Sequence, residues 1–334
     1  MNKIVAYARL LRIPGLGGLA IPPIIGAVTV GVTDIYQLVL LFIIGACAAI
    51  YGFILNDFAD IELDRLVKEL SGKPLVSGDI SRKNAIFICF LCVLFAFLSM
   101  ILLWNGKIID TYKTAAAICM VLAGILGSIY DIYGKRFIAS DLLVALSMGL
   151  VFLFGALSFG APTPITWIVF ILTFENLLYM NAIENGIKDA DHDHLMKVQN
   201  IALTLGVKVD GTNLIIPRSF QIFALSIRLF SAILFFAPFF MFHYPYAIWH
   251  LVLLTIGLLL VFIFSIKLLS LKIFNRDHIR KYIGIQSFIR YSLVPIMIMP
   301  LIGDLQGIIL IIFPILWYIL LTLVFGEKLF KPRM

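Results

Sequence analysis

Two short stretches of the chain carry asparagine and aspartate side chains at steps of four residues. Their members are Asn56, Asp60 and Asp64 in the first stretch and Asn185, Asp189 and Asp193 in the second. On a helix, steps of four place the side chains of each stretch on one face. Carboxylates stacked in this way repel one another and are costly near hydrocarbon, so they need a positive partner. Mg²⁺ is usually held by one or two carboxylates and substrate phosphates, so the pattern predicts a site that binds a diphosphate through metal ions.

Oxygen atoms from both stretches are the predicted metal ligands. The predicted set is Asn56, Asp57, Asp60, Asp64, Asp189 and Asp193. Asp57 lies off the strict four-residue face, as does Asp191 in the second stretch. Acidic groups alone would bind Ca²⁺ as readily as Mg²⁺, so the choice of Mg²⁺ follows from the inferred phosphates. A lone cluster of this kind is typical of a solvated acidic loop, and the matched second cluster favours the metal site.

The composition indicates a membrane protein. The 334 residues are 62% hydrophobic and 13% charged, whereas soluble domains are about 45–50% apolar and 25% charged. The apolar runs are too continuous for a β-barrel, in which strands alternate. The net charge of +7 falls in short loops between apolar segments, which indicates membrane topology and argues against a nucleic-acid partner.

Spanning a bilayer takes about 20 apolar residues, and ten segments of the chain qualify. They are Pro14 to Val32, Tyr36 to Leu55, Ala85 to Trp104, Thr114 to Ile132, Leu142 to Gly160, Ile165 to Ile187, Phe220 to Phe242, Ala247 to Leu269, Ile283 to Ile302 and Gln306 to Phe325. The sequence therefore predicts an all-α polytopic protein. We expect a single domain over residues 1–334, with its last helix at about 306–325.

The distribution of Lys and Arg predicts the orientation of these segments. If the N-terminus is cytoplasmic, the outside loops hold only Lys107 and Lys113, and Arg228 and Arg290 lie within the membrane. The remaining Lys and Arg then fall inside, among them Lys68, Lys328, Lys331 and Arg333. This asymmetry predicts that both termini are cytoplasmic. An intramembrane Arg is a functional candidate, and structural pairing or snorkelling is the alternative for both.

Both Asn/Asp stretches fall on the predicted cytoplasmic side, at the ends of the second and sixth segments. Each precedes a long polar loop, Ile61 to Lys83 and Lys188 to Arg218. The outside loops are short. We therefore expect a cytoplasmic cap, with the chemistry beneath it and facing the cytoplasm.

Basic groups beside the stretches could bind the phosphate oxygens that metals leave free, especially as the diphosphate departs. Candidates are Lys73, Lys135, Arg136 and Lys188, and Tyr130 could contact the phosphate or stabilise a cation. The alternative for Lys135 and Arg136 is a role in topology alone, and an interfacial aromatic belt would explain Tyr130 equally well.

Two other patterns could bind metal. Cys89 and Cys92 form a CxxC inside an apolar run without further ligands nearby, which favours buried spectators. His192 and His194 could bind zinc, but alternate residues of a helix face apart.

Four motifs give the chain its resemblance to the UbiA-type intramembrane prenyltransferase superfamily. NDFADIELD at 56–64 resembles the family's first motif, N-D-x-x-D-x-x-x-D, and KPLVSGDIS at 73–81 resembles the stretch that follows it. YDIYGKR at 130–136 resembles the Tyr-to-Lys segment after the fourth helix, and KDADHD at 188–193 resembles the second Asp-rich motif. The resemblance covers roughly residues 10–305.

The chain departs from the family pattern at four places. Lys73 stands where Arg is usual, which keeps the charge but loses bidentate phosphate binding. Asn185, with Glu184 beside it, replaces an acid before the second motif. The step from Tyr130 to Lys135 is five residues where four is common, and a tenth helix follows the usual nine.

The resemblance implies nine transmembrane helices, here with a tenth, around a central cavity open to lipid and beneath a cytoplasmic cap. It implies that the two Asp motifs face each other and hold Mg²⁺ against a prenyl diphosphate. Loss of diphosphate would leave an allylic carbocation-like centre for a lipophilic acceptor to attack. Expected catalytic residues are Asp60, Asp64, Asp189, Lys73 and Lys135. Expected diphosphate-binding residues are Asn56, Lys73, Tyr130, Lys135, Arg136, Asn185 and Lys188.

The acceptor stays open at this point. The DIELD wording and the Lys188–Asp189 pair resemble archaeal members that alkylate geranylgeranylglyceryl phosphate. Aromatic quinone precursors, haem or chlorophyll side-chain transfer, and a membrane terpene cyclase are alternatives. An ion- or proton-coupled transporter is the alternative from another class, although transporters tend to place their sites near the midplane.

Overall fold

The computed structural model describes residues 3–67, 70–105 and 108–325. These residues are mostly α-helical, with one short hairpin, which confirms the predicted all-α fold. The charges assigned above to Lys68, Lys107, Lys328, Lys331 and Arg333 lie outside the described residues.

The elements follow one another along the chain with short connections. The α-helices are α1 Lys3–Leu10, α2 Leu16–Leu19, α3 Pro22–Val28, α4 Ile35–Ala59, α5 Ile61–Asp64, α6 Pro74–Ser77, α7 Arg82–Leu103, α8 Thr111–Tyr133, α9 Asp141–Leu157, α10 Pro164–Leu178, α11 Gly186–Lys188, α12 Ala190–Leu195, α13 Ile201–Thr204, α14 Arg218–Met241, α15 Ile248–Leu269, α16 Arg276–Ile302 and α17 Asp304–Val324. Turns of 3₁₀-helix cover Ile13–Gly15 and Gly134–Arg136, a π-helix covers Tyr179–Asn185, and strands β1 Lys208–Asp210 and β2 Asn213–Ile215 form the hairpin.

Within the described residues, eight helices are long and apolar enough to cross a membrane. A ninth span results if α1 and the segment Ile13–Val28, which are bent by 43°, count as one. The sequence predicted ten. The difference is α9, which has 17 residues and is shorter than the roughly 20 that a span needs. The chain is an integral, multi-pass membrane protein.

The first predicted segment is not one continuous helix. Prolines interrupt the run at Pro14 and again at Pro22, and each begins a new short helix. Proline has no backbone N–H and its ring clashes with the preceding turn, so it starts helices more readily than it continues them.

The chain divides into two compact units. The first comprises Met1–Tyr133, Leu146–Ala161 and Pro314–Met334. In it, α3 and residues 146–157 of α9 pack backbone to backbone. Their approach is so close that a Cβ on Gly155 would lie 1.9 Å from the carbonyl oxygen of Pro23. The last helix also packs here, where the Trp317 indole Nε1 donates to the carbonyl oxygen of Ile13 at 2.9 Å.

The second unit comprises Gly134–Ala145 and Pro162–Phe313. It contains α10, the π-helix and the long helices α14, α15 and α16, of which α15 and α16 pack along each other. The antiparallel strands β1 and β2 pair Val209 with Leu214, and a further bridge joins Asn213 to Ile273. The prediction that the whole chain is one domain stays a prediction.

Candidate active site

The first Asn/Asp stretch lies where α4 ends and α5 begins. Asn56 is on the last turn of α4, Asp60 joins the two helices and Asp64 ends α5. The backbone N–H of Asp60 donates to the carbonyl oxygen of Asn56 at 3.0 Å, and the backbone N–H of Asp64 donates to the carbonyl oxygen of Asp60 at 2.8 Å. The four-residue step therefore continues through the junction, as the spacing predicted. Asp57, Asp60 and Asp64 are all buried.

Lys73 is the cation that holds this stretch. Its Nζ lies 2.7 Å from Asp64 Oδ2 and 3.0 Å from Asp57 Oδ1. Asp57, which lies off the four-residue face, is thus brought to Asp64 by a shared partner. Burial alone lowers the pKa of Lys73, but the charges of Asp57 and Asp64 outweigh burial and raise that pKa above its ordinary value. Lys73 is therefore a permanent cation here.

The backbone around Lys73 explains how it reaches the cluster. Lys73 is in extended conformation directly before α6, whose first residue is Pro74. The single turn of α6 ends at Gly78, which has a φ of +79° that glycine adopts without strain. The KPLVSG sequence thus folds as one capped helical turn that presents Lys73 from its N-terminal end.

Arg12 is a second cation on the same stretch, and the sequence analysis counted it only as a topology charge. Its Nη2 lies 3.2 Å from Asp57 Oδ1, and its guanidinium lies 4.6 Å from the centre of the Phe53 ring. Arg12 has a φ of +47°, a left-handed conformation that costs a non-glycine residue about 1–2 kcal/mol. Such strain persists where the surroundings impose it, often at functional sites.

Asp131 on α8 also belongs to this neighbourhood, and the sequence analysis did not select it. The side chain of Asn56 hydrogen-bonds to its carboxyl group, and the charges of Asp60, Arg12 and Asp57 also act on it. A Cβ on Gly52, one turn before Asn56, would lie 3.7 Å from Asp131 Oδ2. The signal available in the sequence was an ionisable residue near the end of an apolar segment.

Glu62 points away from the cluster although it lies between Asp60 and Asp64. Its side chain is exposed and pairs with Arg65 at 3.0 Å and with Arg82. The hydrogen bond from Arg82 lowers the pKa of Glu62. This pair resembles an ordinary surface ion pair, which contributes little to stability.

The second stretch begins at the last residue of the π-helix and has its own lysine. Lys188 Nζ donates to Asn185 Oδ1 at 2.9 Å and lies 3.3 Å from Asp189 Oδ2. The N–H of Asp189 donates to the carbonyl oxygen of Asn185, and the N–H of Asp193 donates to that of Asp189, both at 2.9 Å. The four-residue step is again preserved, and Lys188 occupies a place like that of Lys73 in the first stretch.

The remaining acids of the second stretch contact Asn200, directly before α13, and Arg276, the first residue of α16. Asp193 Oδ2 accepts from Asn200 Nδ2 at 2.8 Å, and Asn200 also caps α13. Asp191 pairs with Arg276 at 2.5 Å, and the same Arg276 Nη2 lies 3.1 Å from His192 Nδ1. Arg276 therefore contacts both Asp191 and His192.

The other predicted phosphate contacts lie on neighbouring elements. Lys135 is in the 3₁₀ turn, and its carbonyl oxygen accepts from the N–H of Gln199 at 3.0 Å, beside the second stretch. Arg136 is exposed, and Tyr130 is half-buried on α8. Their roles toward a phosphate stay predictions.

The two intramembrane arginines share one carboxylate. Arg290 Nη1 and Nη2 donate to the two oxygens of Glu184 at 2.8 and 2.9 Å, and Arg228 Nη2 lies 3.7 Å from Glu184 Oε1. The Arg228 guanidinium also lies over the Tyr179 ring at 3.3 Å. The sequence left open whether these arginines have a functional role or a structural one through pairing or snorkelling, and the structure shows that both are paired.

The donor set suits a hard cation. Both stretches offer carboxylate and amide oxygens, which Mg²⁺ prefers. In the part of the chain that the structure describes, no three His, Cys, Asp or Glu side chains are grouped closely enough to hold a metal by themselves.

A model of the UbiA prenyltransferase family matches residues 19–281. The chain belongs to the UbiA prenyltransferase family. This match confirms the resemblance that the four motifs gave, and it includes both Asn/Asp stretches.

The chain is also similar to bacterial proteins named 4-hydroxybenzoate octaprenyltransferase. The chain is 29% identical over 182 residues to the 4-hydroxybenzoate octaprenyltransferase of Francisella tularensis subsp. mediasiatica (strain FSC147), an alignment covering 54% of this chain and 60% of that relative. It is 36% identical over 127 residues to the enzyme of that name from Shewanella frigidimarina (strain NCIMB 400), covering 36% of this chain and 43% of that relative. The aligned region thus spans less than two thirds of these relatives.

Solved structures of UbiA homologues share the fold. A structure of digeranylgeranylglyceryl phosphate synthase matches with a TM-score of 0.65 and 22% identity, over 91% of this chain and 100% of that one. A UbiA homologue from Archaeoglobus fulgidus bound to GPP and Mg²⁺ matches with a TM-score of 0.63 and 19% identity, over 90% and 100%. These matches confirm the predicted UbiA-like bundle.

Proposed function

We propose that this protein transfers a prenyl group from an allylic prenyl diphosphate to a lipophilic acceptor within the membrane and releases diphosphate. The observation that carries the proposal is the matched construction of the two Asn/Asp stretches. Each places acidic and amide oxygens beside one lysine, Lys73 in the first stretch and Lys188 in the second. Acidic oxygens for Mg²⁺ and ammonium groups for phosphate oxygens are what binding a diphosphate requires.

The reaction breaks the bond between C1 of the prenyl group and the bridging diphosphate oxygen, and the electron pair leaves with the diphosphate. A new bond then forms between C1 and the acceptor, which loses a proton. Charge grows on the diphosphate as the bond breaks, so cations fixed beside it stabilise the transition state more than the substrate. Lys73 and Lys188 perform this role, and the strong ion pairing of Lys73 keeps it protonated.

The residues that would hold Mg²⁺ are Asn56, Asp57, Asp60 and Asp64 in the first stretch and Asp189 and Asp193 in the second. Bound Mg²⁺ would supply Lewis-acid stabilisation of the leaving diphosphate. The Archaeoglobus fulgidus homologue was solved with GPP and Mg²⁺, which supports the same dependence here. Lys73 contacts Asp57 and Asp64 directly, so it also neutralises these acids before metal arrives.

We further propose that the acceptor carries an acidic group. The Francisella relative is named for 4-hydroxybenzoate, and the structural neighbour is named for a glyceryl phosphate. Both molecules combine a nucleophile with an anionic group, which would be expensive to place deep in hydrocarbon. Such an acceptor would react near the membrane surface, where both stretches lie at helix ends. The sequence assigns that surface to the cytoplasm.

The decisive experiment is a transfer assay with purified protein in detergent or vesicles. Labelled geranylgeranyl diphosphate is incubated with and without Mg²⁺, in separate arms with 4-hydroxybenzoate, geranylgeranylglyceryl phosphate or no acceptor. We expect a Mg²⁺-dependent prenylated product in one acceptor arm. If the labelled diphosphate is consumed equally fast without an acceptor and yields a hydrocarbon product, the protein is a terpene cyclase instead. Absence of diphosphate release in every arm would contradict the proposal.

A further inference from the structure

The chain changes its helical geometry directly before the second Asn/Asp stretch. Residues Tyr179–Asn185 form a π-helix between α10 and α11. A π-helix has more residues per turn than an α-helix. Such segments are rare in proteins as a whole, but where they occur they often lie at functional sites. On an α-helix each residue advances by roughly 100°, so a one-residue change of register here would turn the side chains that follow directly, as far as Asp189, to another face.

One face of the π-helix is fixed by buried charges. Glu184 is 1% exposed and accepts both bonds of the Arg290 guanidinium. Arg290 Nη2 also donates to Ser287 Oγ at 3.0 Å, so the guanidinium is held from its own helix, α16. Arg228 contacts both ends of the π-helix, Tyr179 and Glu184.

Another set of side chains on the π-helix forms a chain of polar contacts toward the second stretch. Asn181 Nδ2 donates to the carbonyl oxygen of Leu177 at 3.0 Å, and Asn185 Nδ2 donates to Asn181 Oδ1 at 3.3 Å. Asn185 Oδ1 accepts from Lys188, which pairs with Asp189. The direction in which Asn185, Lys188 and Asp189 point is therefore tied to the register of the π-helix.

Stability alone does not explain the charged face. Burying an ion pair costs desolvation that apolar residues of similar size avoid, and the best-attested use of buried polar pairs is to fix register. A bidentate Arg–carboxylate pair is well suited to this because its fork geometry admits one orientation. Two helices distant in sequence thus specify one register for a segment that could adopt others.

We propose that Glu184 and Arg290 are positioning residues whose ion pair fixes the register of the π-helix and thereby the face on which Asn185 and Asp189 stand. The register rests on the geometry alone. Its catalytic consequence rests on the function proposed above, because Asp189 matters to the reaction only if it helps to bind the diphosphate.

The test measures the register without requiring catalysis. In a background in which Cys47, Cys89, Cys92 and Cys119 are replaced by Ala, single cysteines are introduced and their rates of reaction with a water-soluble, charged methanethiosulfonate are measured. Ile187→Cys reports on the register, since Ile187 is 0% exposed just after the π-helix. Leu195→Cys, at a 76% exposed position, is the reactive reference. Val207→Cys, at a 1% exposed position in the same unit, is the buried reference.

Arg290→Lys keeps the charge and loses the bidentate fork, so it should raise the rate at Ile187→Cys about tenfold. Glu184→Gln should raise it similarly, and both references should stay unchanged. His250→Gln, which alters the contact between buried His250 and exposed Asp304 in this unit, is the control and should leave all three rates unchanged. If a variant fails gel filtration, Ser287→Ala replaces it, because it removes a single bond to Arg290, and a smaller rise is expected.

Unchanged rates at Ile187→Cys in folded variants would overturn the proposal. A parallel rise at Val207→Cys would overturn it too, because the ion pair would then stabilise the unit in general. In the transfer assay, Arg290→Lys should lower kcat and raise the Mg²⁺ concentration for half-activation. If the parent protein shows no transfer but the labelling responds as expected, the register proposal stands and the proposed function fails.

Discussion

The ammonium group of Lys73 lies 2.7 Å from a carboxylate oxygen of Asp64, and the same ammonium lies 3.0 Å from Asp57. The first Asn/Asp stretch therefore has a cation from the protein itself. Metal and substrate must bind beside this lysine or displace it. Because Lys73 stands where the family usually has Arg, it makes a point-charge contact in place of a bidentate one.

Asp60 and Asp189 give the most direct test of the metal-binding role. Asp60→Ala or Asp189→Ala each removes a proposed ligand, and each should lower kcat by at least about 10²–10³ while the protein still folds. The measurement is transfer rate against Mg²⁺ concentration, with gel filtration as the folding check. Near-parental activity in either variant would contradict the role of Mg²⁺ at both stretches.

Lys73 should act as a charge on the departing diphosphate. Lys73→Arg should keep substantial activity, and Lys73→Met should lose most of its kcat at saturating prenyl diphosphate, by about 10²-fold. Lys83→Met removes an exposed lysine after the same loop and is the matched control for topology. If Lys73→Met kept the parental kcat, Lys73 would serve only as a charge that sets membrane topology.

The pKa of Lys73 makes a further prediction about pH. Its pKa is raised above the ordinary 10.5 by Asp57 and Asp64, so the stabilisation from this charge is fully present below that pH and is lost only as the pH rises through the folded value. The contribution of Lys73 to activity and to the thermal midpoint should therefore stay constant between about pH 6 and 9. When activity is plotted against pH, the parent and Lys73→Arg should lose activity over the same alkaline range. A loss of activity at alkaline pH in the parent alone would contradict this prediction.

Arg12 should matter for stability more than a surface arginine. Arg12→Met leaves the buried Asp57 with one cationic partner fewer, which should cost about 1–3 kcal/mol. Arg65→Met, which breaks an exposed pair with Glu62, should cost about 0–1 kcal/mol. Thermal unfolding of both variants in detergent decides the point, and equal losses would show that the Arg12 contact contributes no more than a surface pair.

Asp131 is expected to orient Asn56. Asp131→Asn keeps the shape and exchanges one of the carboxyl oxygens that Asn56 faces for an amide NH₂ group, so the Mg²⁺ concentration for half-activation should rise about 10–100-fold, as for other groups that orient metal ligands. Asp79→Asn, at an exposed position of the same unit, should change nothing. An unaltered Mg²⁺ dependence in Asp131→Asn would limit this residue to packing.

The sequence by itself determined the all-α membrane fold, the positions of the helices within a few residues and the two Asn/Asp stretches. These features are local, because apolar length and residue spacing act through neighbours along the chain. The four-residue spacing of the first stretch is preserved at Asp60, where α4 ends, because the backbone hydrogen bonds continue through that junction. The broken first segment and the short α9 departed from the predicted count because prolines and turn residues ended helices that hydrophobicity alone would extend.

Only the tertiary structure decided which cations meet which acids. Arg12 and Asp57 are 45 residues apart in sequence, and Glu184 and Arg290 are 106 apart, so no local pattern pairs them. The π-helix was equally hidden, because its register depends on Arg228 and Arg290 from other helices. The sequence therefore specified the groups that could do chemistry, and packing between distant segments specified their partners and the faces on which they stand.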